Sequence, residues 1–131
     1  MPPSAPLPTD AELKILRVLW SDGPSTVRDV LEALDEDHSY TTVLKHLQIM
    51  HEKGLVERDE SGRAHVYTSV TDESGTQQKL VEDLLDRAFS GSAETLVMQA
   101  LSAQSVTQEE LDKIRSLIDE LDSRSNDGDN S

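Results

Sequence analysis

The stretch SYTTVLKHLQIMHEKG, residues 39–54, decides how the rest of the chain is interpreted. Ser39 is a typical helix N-cap and Gly54 is a typical residue for ending a helix, so the stretch predicts one helix over residues 40–53. At 100° per residue the apolar side chains collect on one side of this helix. The apolar side is formed by Val43, Leu47 and Met50.

The opposite side of this predicted helix has the chemistry of a surface that reads DNA bases. Threonine and glutamine can hydrogen-bond to base edges, lysine can reach guanine or a phosphate, and an apolar side chain can contact the thymine methyl. An ordinary solvent-exposed face with one isoleucine explains the same composition equally well, since such a face is a weak motif. The residues expected to contact DNA from this helix are Thr41, Thr42, Lys45, Gln48 and Ile49.

The elements around this helix predict a winged helix-turn-helix domain over residues 9–70. Thr9 or Asp10 begins a first helix, and Ser25 caps a second helix whose apolar residues recur at i, i+3, i+4 and i+7. After Gly54, the β-branched and aromatic residues of LVERD and RAHVYTS suit the two strands of a hairpin. Three helices and a hairpin account for the whole range.

The predicted hairpin adds two basic side chains to the proposed DNA surface. Its tip, ESGR, places Arg63 beside a glycine turn, where a wing contacts phosphates or the minor groove. His65 follows and is also expected to face DNA. The alternative for Arg63 is an ion pair with Asp59 or Glu60, which would contribute little to stability in solvent.

Residues 71–122 predict three helices, each with a single apolar face. SGS separates the first from the second, and the capping box of Thr107 and Glu110 begins the third. Because helices this short have little to bury against within one chain, we expect a symmetric homodimer; packing against the first domain is the alternative. The expected dimerisation residues are Leu80, Leu84, Leu85, Phe89, Leu96, Val97, Leu101, Leu111, Ile114, Leu117, Ile118 and Leu121.

The fold class is therefore predicted to be mainly α, with an N-terminal winged helix followed by a three-helix dimerisation region. The proline-rich arm, residues 1–8, and the polar tail, residues 123–131, are predicted to be disordered.

Net charge bears on the DNA hypothesis, because binding to nucleic acid rests on neutralising phosphates with lysine and arginine. The chain has 131 residues and a formal charge of −14, which argues against such binding. Residues 38–70, however, contain four basic and four acidic residues together with all four histidines. The excess of acid lies elsewhere, so the charge leaves DNA binding open.

Several classes of function lack their sequence signals. Without cysteine there is no disulfide or thiolate site, and no apolar run approaches the roughly 20 residues that cross a bilayer. The start of the chain does not resemble a signal peptide, so a cytoplasmic protein without membrane insertion is expected. His46 and His51 are five apart, which does not suit shared metal ligation on a helix. With no phosphate loop or nucleophile elbow, we expect no enzyme, no cofactor and no metal.

Four segments in register along the chain resemble the penicillinase-repressor family of winged-helix regulators, the BlaI/MecI/CopY group. The resemblance covers about residues 9–121. It implies a homodimeric repressor that binds DNA with its winged helix and dimerises through its C-terminal helices. It also implies base-facing roles for Thr41, Thr42, Lys45 and Ile49, and a wing contact for Arg63. The segments are TDAELKILRVLW, STVRDVLEAL, YTTVLKHLQIMHEKGLVERDESGRAHVY and FSGSAETLVMQAL.

Three departures from that family limit what can be carried over. Some members respond to copper through a cysteine cluster, which this chain lacks. Others are cleaved by a membrane sensor protease at an Asn-Phe pair; here the same place reads Gln99-Ala100, which puts such a partner in doubt. Ile49 stands where resistance repressors tend to have arginine, so we expect a different operator sequence.

The sequence as a whole predicts a homodimeric, sequence-specific repressor whose partners are double-stranded operator DNA and a second copy of itself. It would read a pseudo-palindromic operator with helix 40–53 and the wing. The alternative is a winged-helix module that binds other proteins and lacks sequence-specific DNA binding, a use that the acidity of the chain would suit.

Overall fold

The computed structural model describes residues 6–34 and 38–129 of the chain. The described residues confirm the mainly α fold class and the predicted order of three helices, a hairpin and three helices. They divide between Leu84 and Leu85 into two compact units. The elements are α1 (Asp10–Asp22), α2 (Val27–Leu34), α3 (Tyr40–Lys53), β1 (Val56–Asp59), β2 (Val66–Ser69), α4 (Glu73–Ala88), α5 (Ala93–Ala103) and α6 (Gln108–Asp129).

The first three helices and the hairpin pack around one core made mainly of aliphatic side chains. Every one of these elements contributes at least one buried apolar residue, so the winged helix folds around a shared interior. Tyr67 of β2 is the one aromatic residue that is fully buried among the described residues. The buried apolar residues are Ile15, Leu16, Leu19, Val27, Val30, Val43, Leu47, Met50, Val56 and Tyr67.

The ends of α1 and α3 form as the sequence predicted. Thr9 and Glu12 make a reciprocal capping box, with the Glu12 N–H donating to Thr9 Oγ1 at 3.2 Å. Ser39 caps α3, where its Oγ accepts from the Thr42 N–H at 3.1 Å. Gly54 ends α3 in the left-handed conformation, at a φ of 83°, which favours glycine.

The start of α2 differs from the prediction, which made Ser25 the N-cap. Thr26 has that role instead, because its Oγ1 accepts from the Asp29 N–H at 3.1 Å while Asp29 Oδ2 accepts from the Thr26 N–H at 3.1 Å. Ser25 is buried and pairs with the wing: its N–H donates to the Tyr67 carbonyl at 3.0 Å and its carbonyl accepts from the Tyr67 N–H at 2.8 Å. A single antiparallel β-bridge between Ser25 and Tyr67 therefore ties the α1–α2 connection to the hairpin.

The hairpin pairs over a shorter length than the sequence suggested. Its strands are antiparallel, and Asp59 opposite Val66 is the last pair before the loop. Residues 60–65, here called the wing loop, therefore include Arg63 and His65, which the pattern RAHVYTS placed in the second strand. Ser61 closes the loop by donating its N–H to Asp59 Oδ1 at 2.9 Å. The Ser61 side chain, and after it this N–H, holds the pKa of Asp59 below its ordinary value by hydrogen bonding.

The winged helix continues into the first half of α4, beyond the predicted boundary at residue 70. The Trp20 indole N–H donates to Ser69 Oγ at 3.0 Å and to the Thr71 carbonyl at 2.9 Å. Thr76, in the first turns of α4, is buried, and the first compact unit extends to Leu84. The residues that follow β2 are thus held against α1 and do not form a free linker.

The second unit contains the end of α4 with α5 and α6. Ser92 caps α5, where its Oγ accepts from the Thr95 N–H at 3.1 Å, and Thr107 Oγ1 accepts from the Glu110 N–H at 3.1 Å at the start of α6. Both caps were predicted. None of the described side chains of α5 and α6 is buried. Met98, at 63% exposure, is the most exposed of the large apolar side chains in the described residues.

The C-terminal end of the chain differs from the predicted disorder as far as the structure describes it. Helix α6 runs to Asp129, through most of the segment that the composition assigned to a disordered tail. An i,i+4 ion pair between Arg124 and Glu120, at 2.6 Å, supports this last part of the helix. Residues 1–5 of the predicted disordered arm lie outside the described residues, and so do residues 130–131. No described helix is long and apolar enough to cross a membrane.

An ion pair joins α1 to the C-terminal end of α3. Lys53 Nζ lies 2.9 Å from each carboxylate oxygen of Glu12, whose side chain is 3% exposed against 27% for Lys53. Burial acts to raise the pKa of Glu12, but hydrogen bonds from Lys53 and Thr9 outweigh it and lower the pKa below 4.5. The carboxylate is therefore held charged against the core.

We expect Glu12→Gln to lower the free energy of unfolding by about 1–3 kcal/mol near neutral pH, because Lys53 loses a charged partner. Since the pKa of Glu12 is lower in the folded state, this stabilisation is complete at neutral pH, begins to fall near the unfolded-state pKa and is lost as the pH falls through the folded-state pKa. The difference in the free energy of unfolding between the parent and the variant should therefore become smaller in acid. Urea unfolding at neutral and acidic pH measures it.

The matched control is Glu52→Gln, which neutralises an exposed glutamate of α3. It should change the free energy of unfolding by no more than about 0.5 kcal/mol. An equal loss of stability for Glu12→Gln at both pH values would contradict the electrostatic account and indicate a packing effect.

Candidate nucleic-acid interface

The structure orients α3 as the helical wheel predicted. Val43, Leu47 and Met50 are at most 1% exposed and form its inner side. The polar residues of the opposite side are exposed, but Ile49 is half-buried, so only part of its side chain is available for a base contact. The exposed residues of this outer face are Thr41, Thr42, Lys45 and Gln48.

The side chain of Thr42 is fixed at the first turn of α3. Its Oγ1 lies 2.9 Å from Ser39 Oγ, the same oxygen that caps the helix. Within the described part of the chain, Thr41 and Lys45 make no hydrogen bond or ion pair through their side chains. The face therefore combines one preorganised hydroxyl with side chains that remain available to an external partner.

The carboxylates of the wing are occupied by partners other than Arg63. Glu60 pairs with Arg58 at 2.6 Å, and Asp59 accepts from the Ser61 N–H. The alternative in which Arg63 pairs with Asp59 or Glu60 is therefore not what the structure shows. Arg63 and His65 are both exposed on the wing loop.

Pairing also decides which cations near the wing remain available. Lys53 is bound by Glu12, and Arg58 is bound by Glu60. The pKa of the Arg58 guanidinium is raised, mainly by the neighbouring Tyr67 side chain. Of the four basic residues between 38 and 70, Lys45 and Arg63 are the two without an ion pair in the described residues. Both lie on the surfaces that the sequence assigned to DNA.

An open pocket of about 390 Å³ lies between the start of α2, the start of α3 and the wing loop. We call it the α2–α3–wing cleft. Its basic lining residues are two arginines and one histidine, and none of the described residues that line it is a carboxylate. The described lining of the cleft is therefore basic, in a chain with 26 acidic residues. Its lining residues with polar side chains are Thr26, Arg28, Tyr40, Arg63, His65 and Tyr67.

Arg28 and Tyr40 also belong to this surface, although neither was predicted from the sequence to contact DNA. The Arg28 guanidinium carbon lies 5.9 Å from the centroid of the Tyr40 ring, within the range of a cation–π contact. Arg28 is the single basic residue of the α2 segment VRDVLEAL, and this was the available signal. Its position across from the wing loop depends on the fold.

The residues predicted for dimerisation differ in how deeply their side chains are buried within a single chain. Leu80 is half-buried beside Leu13 and Trp20 of the first unit. Leu85, Phe89, Leu96, Leu101, Leu111 and Ile114 are half-buried as well. The exposed members are Leu84, Val97, Leu117, Ile118 and Leu121, each between 42% and 56% exposed.

Comparison with known proteins agrees with the resemblance stated from the sequence. The sequence profile of the penicillinase repressor family matches residues 8–120. The transcriptional regulator BlaI of Mycobacterium tuberculosis is 35% identical over 117 residues, which cover 86% of this chain and 83% of that protein. The penicillinase repressor of Bacillus licheniformis is 25% identical over 118 residues, which cover 88% and 92%.

Among solved structures, the solution structure of the DNA-binding domain of the repressor BlaI is similar to 55% of this chain and 90% of that one. The TM-score is 0.49 and the sequence identity 30%. The family match and the similarity to the mycobacterial regulator each extend over most of the sequence. The chain therefore belongs to the penicillinase repressor family, a family of DNA-binding transcriptional repressors.

Proposed function

We propose that this repressor acts as a homodimer that reads a pseudo-palindromic operator with α3 and the wing loop of each chain. The observation that carries the proposal is the outer face of α3, whose exposed threonine, lysine and glutamine side chains lie on the helix that also lines the α2–α3–wing cleft. A face able to read base edges next to a cleft without carboxylates suits DNA.

In this proposal α3 enters the major groove and its outer face contacts the base edges. Thr41, Thr42 and Gln48 donate to or accept from the bases, and Lys45 reaches guanine or a phosphate. The exposed part of Ile49 contacts a thymine methyl. The wing residues Arg63 and His65 contact the DNA backbone or the minor groove beside the same half-site.

Dimerisation is proposed from the state of the C-terminal helices. None of the described side chains of α5 and α6 is buried in one chain, although these helices carry large apolar residues. A second copy of the chain would cover those residues. With few cations available in each half-site contact, joining two half-sites also supplies the effective concentration that occupancy requires.

The site of action proposed for such a repressor is the cytoplasm, where bacterial DNA is accessible. A membrane sensor protease is not part of the proposal, because Gln99 and Ala100 replace the Asn-Phe pair of the resistance repressors. Both residues lie inside α5.

The proposal predicts a dimer bound to two inverted half-sites in the DNA upstream of the protein's own gene. Footprinting and gel-shift on that region measure it, with excess unrelated duplex as competitor. The half-site centres should lie about 10 base pairs, or a small multiple of that spacing, apart. Equal binding to the unrelated duplex would contradict the proposal and favour a module that binds other proteins.

A further inference from the structure

The α2–α3–wing cleft is lined by basic side chains that do not belong to the outer face of α3. Arg63 and His65 line it from the wing loop, and Arg28 lines it from the first turn of α2. The nearest carboxylate in sequence, Asp29, accepts from the Thr26 N–H and so belongs to the helix cap. The cleft therefore keeps its positive charge next to the surface that we assign to DNA.

Within the residues that the structure describes, Arg28 contacts an aromatic ring and forms no ion pair with a carboxylate. Its guanidinium lies over the face of Tyr40, the first residue of α3, whose side chain remains 45% exposed. A cation–π contact restrains a guanidinium while leaving its N–H groups able to donate to another partner. An ion pair with a carboxylate would have consumed the same donors.

We propose that Arg28, restrained by Tyr40, binds one backbone phosphate of each operator half-site in the α2–α3–wing cleft. The inference rests on the proposed function and assigns to that site a residue of α2. The planar guanidinium suits a phosphodiester because two parallel N–H groups can donate to two phosphate oxygens. A phosphate held between α2 and the wing would set the depth and register of α3 in the groove without itself reading sequence.

The test is Arg28→Gln in the full-length protein, with binding measured over a range of salt concentrations. We expect binding to weaken about tenfold or more on both the operator and an unrelated duplex, because a phosphate contact is common to all sequences. The slope of log K against log salt should become shallower by about 1.8, since each of two half-sites loses one contact at about 0.9. Circular dichroism verifies that the exposed substitution leaves the fold intact.

Two further variants isolate the cause. Arg115→Gln removes the same charge from the exposed surface of α6 and should leave the salt slope unchanged. Tyr40→Leu removes the aromatic surface that restrains Arg28. Arg28→Gln should therefore lower the affinity for DNA by a smaller factor in the Tyr40→Leu background than in the parent.

Three outcomes would overturn the inference, provided that the parent binds the operator. The first is an unchanged salt slope for Arg28→Gln, and the second is a loss of affinity for the operator without a loss for the unrelated duplex. The third is an equal loss of affinity from Arg28→Gln in the parent and in the Tyr40→Leu background. If the parent does not prefer its operator to the unrelated duplex, the proposed function fails instead, and the two failures are therefore distinguishable.

Discussion

Replacing Thr42 and Lys45 with alanine is expected to abolish the preference of the protein for its operator over unrelated DNA. Each base contact discriminates by about 1 kcal/mol or more, and a dimer would lose four of them. The loss is then about 4 kcal/mol, roughly a thousandfold in affinity for the operator. Binding to unrelated duplex should fall much less, because Lys45 alone contributes to it. Competition gel-shift on both duplexes measures the change.

The substitution should leave α3 folded, because the cap uses the backbone N–H of residue 42, which alanine retains. The matched control is Thr95→Ala with Lys113→Ala, since Thr95 occupies the equivalent capping position behind Ser92 in α5. That control should bind like the parent. If the Thr42 and Lys45 variant still prefers the operator, the outer face of α3 does not read it.

Placing aspartate at Leu117 and Leu121 is expected to yield a monomer that occupies the palindrome poorly. The two leucines lie one turn apart on α6 and are 53% and 50% exposed, so a single chain loses little burial. Four charges, two from each copy, would be buried unpaired between the copies and would prevent association. Affinity for the full palindrome should fall by about 10²–10⁴, to that of a half-site. Sedimentation and gel-shift measure the two effects.

The control for this experiment is Ser116→Asp with Ser123→Asp, which adds the same charge to exposed serines of the same helix. It should remain dimeric and bind fully. If the variant with aspartate at Leu117 and Leu121 sedimented as a dimer, α6 would not form the dimer surface. A monomer that bound the palindrome like the parent would instead contradict the need for dimerisation.

The parts of the fold that follow from neighbouring residues could be predicted from the sequence. The N-caps of α1 and α3 are hydroxyls that accept from an N–H three residues later, and Gly54 needs a positive φ. These are short-range requirements, so composition and spacing reveal them. The inner face of α3 followed from helical periodicity for the same reason.

The parts that depend on distant residues could not be predicted. Ser25 looked like a cap for α2, but its backbone pairs with Tyr67 in the hairpin, and the next hydroxyl, Thr26, became the cap. The extent of the first unit depends on the indole of Trp20 reaching the Thr71 carbonyl, 51 residues away in sequence. Neither contact leaves a periodic signal near the residues that make it.

The candidate site divides in the same way. The exposed threonines, Lys45 and Gln48 could be placed by the helical wheel, and Arg63 by its glycine turn. Arg28 could not, because the cleft that gives it a role is assembled from α2, α3 and the wing loop. Ile49 was placed on the correct face, but its half-buried state depends on how α3 packs.

The hydrogen bonds of the Trp20 indole also give the protein a built-in optical reporter. Trp20 is the only tryptophan of the chain, and both of its acceptors lie where the hairpin ends and α4 begins. Its fluorescence emission therefore senses the state of the winged-helix unit, whereas far-ultraviolet circular dichroism sums all the helices. Coincident melting curves from the two signals would mean that both units unfold together; separate curves would resolve two transitions without any label.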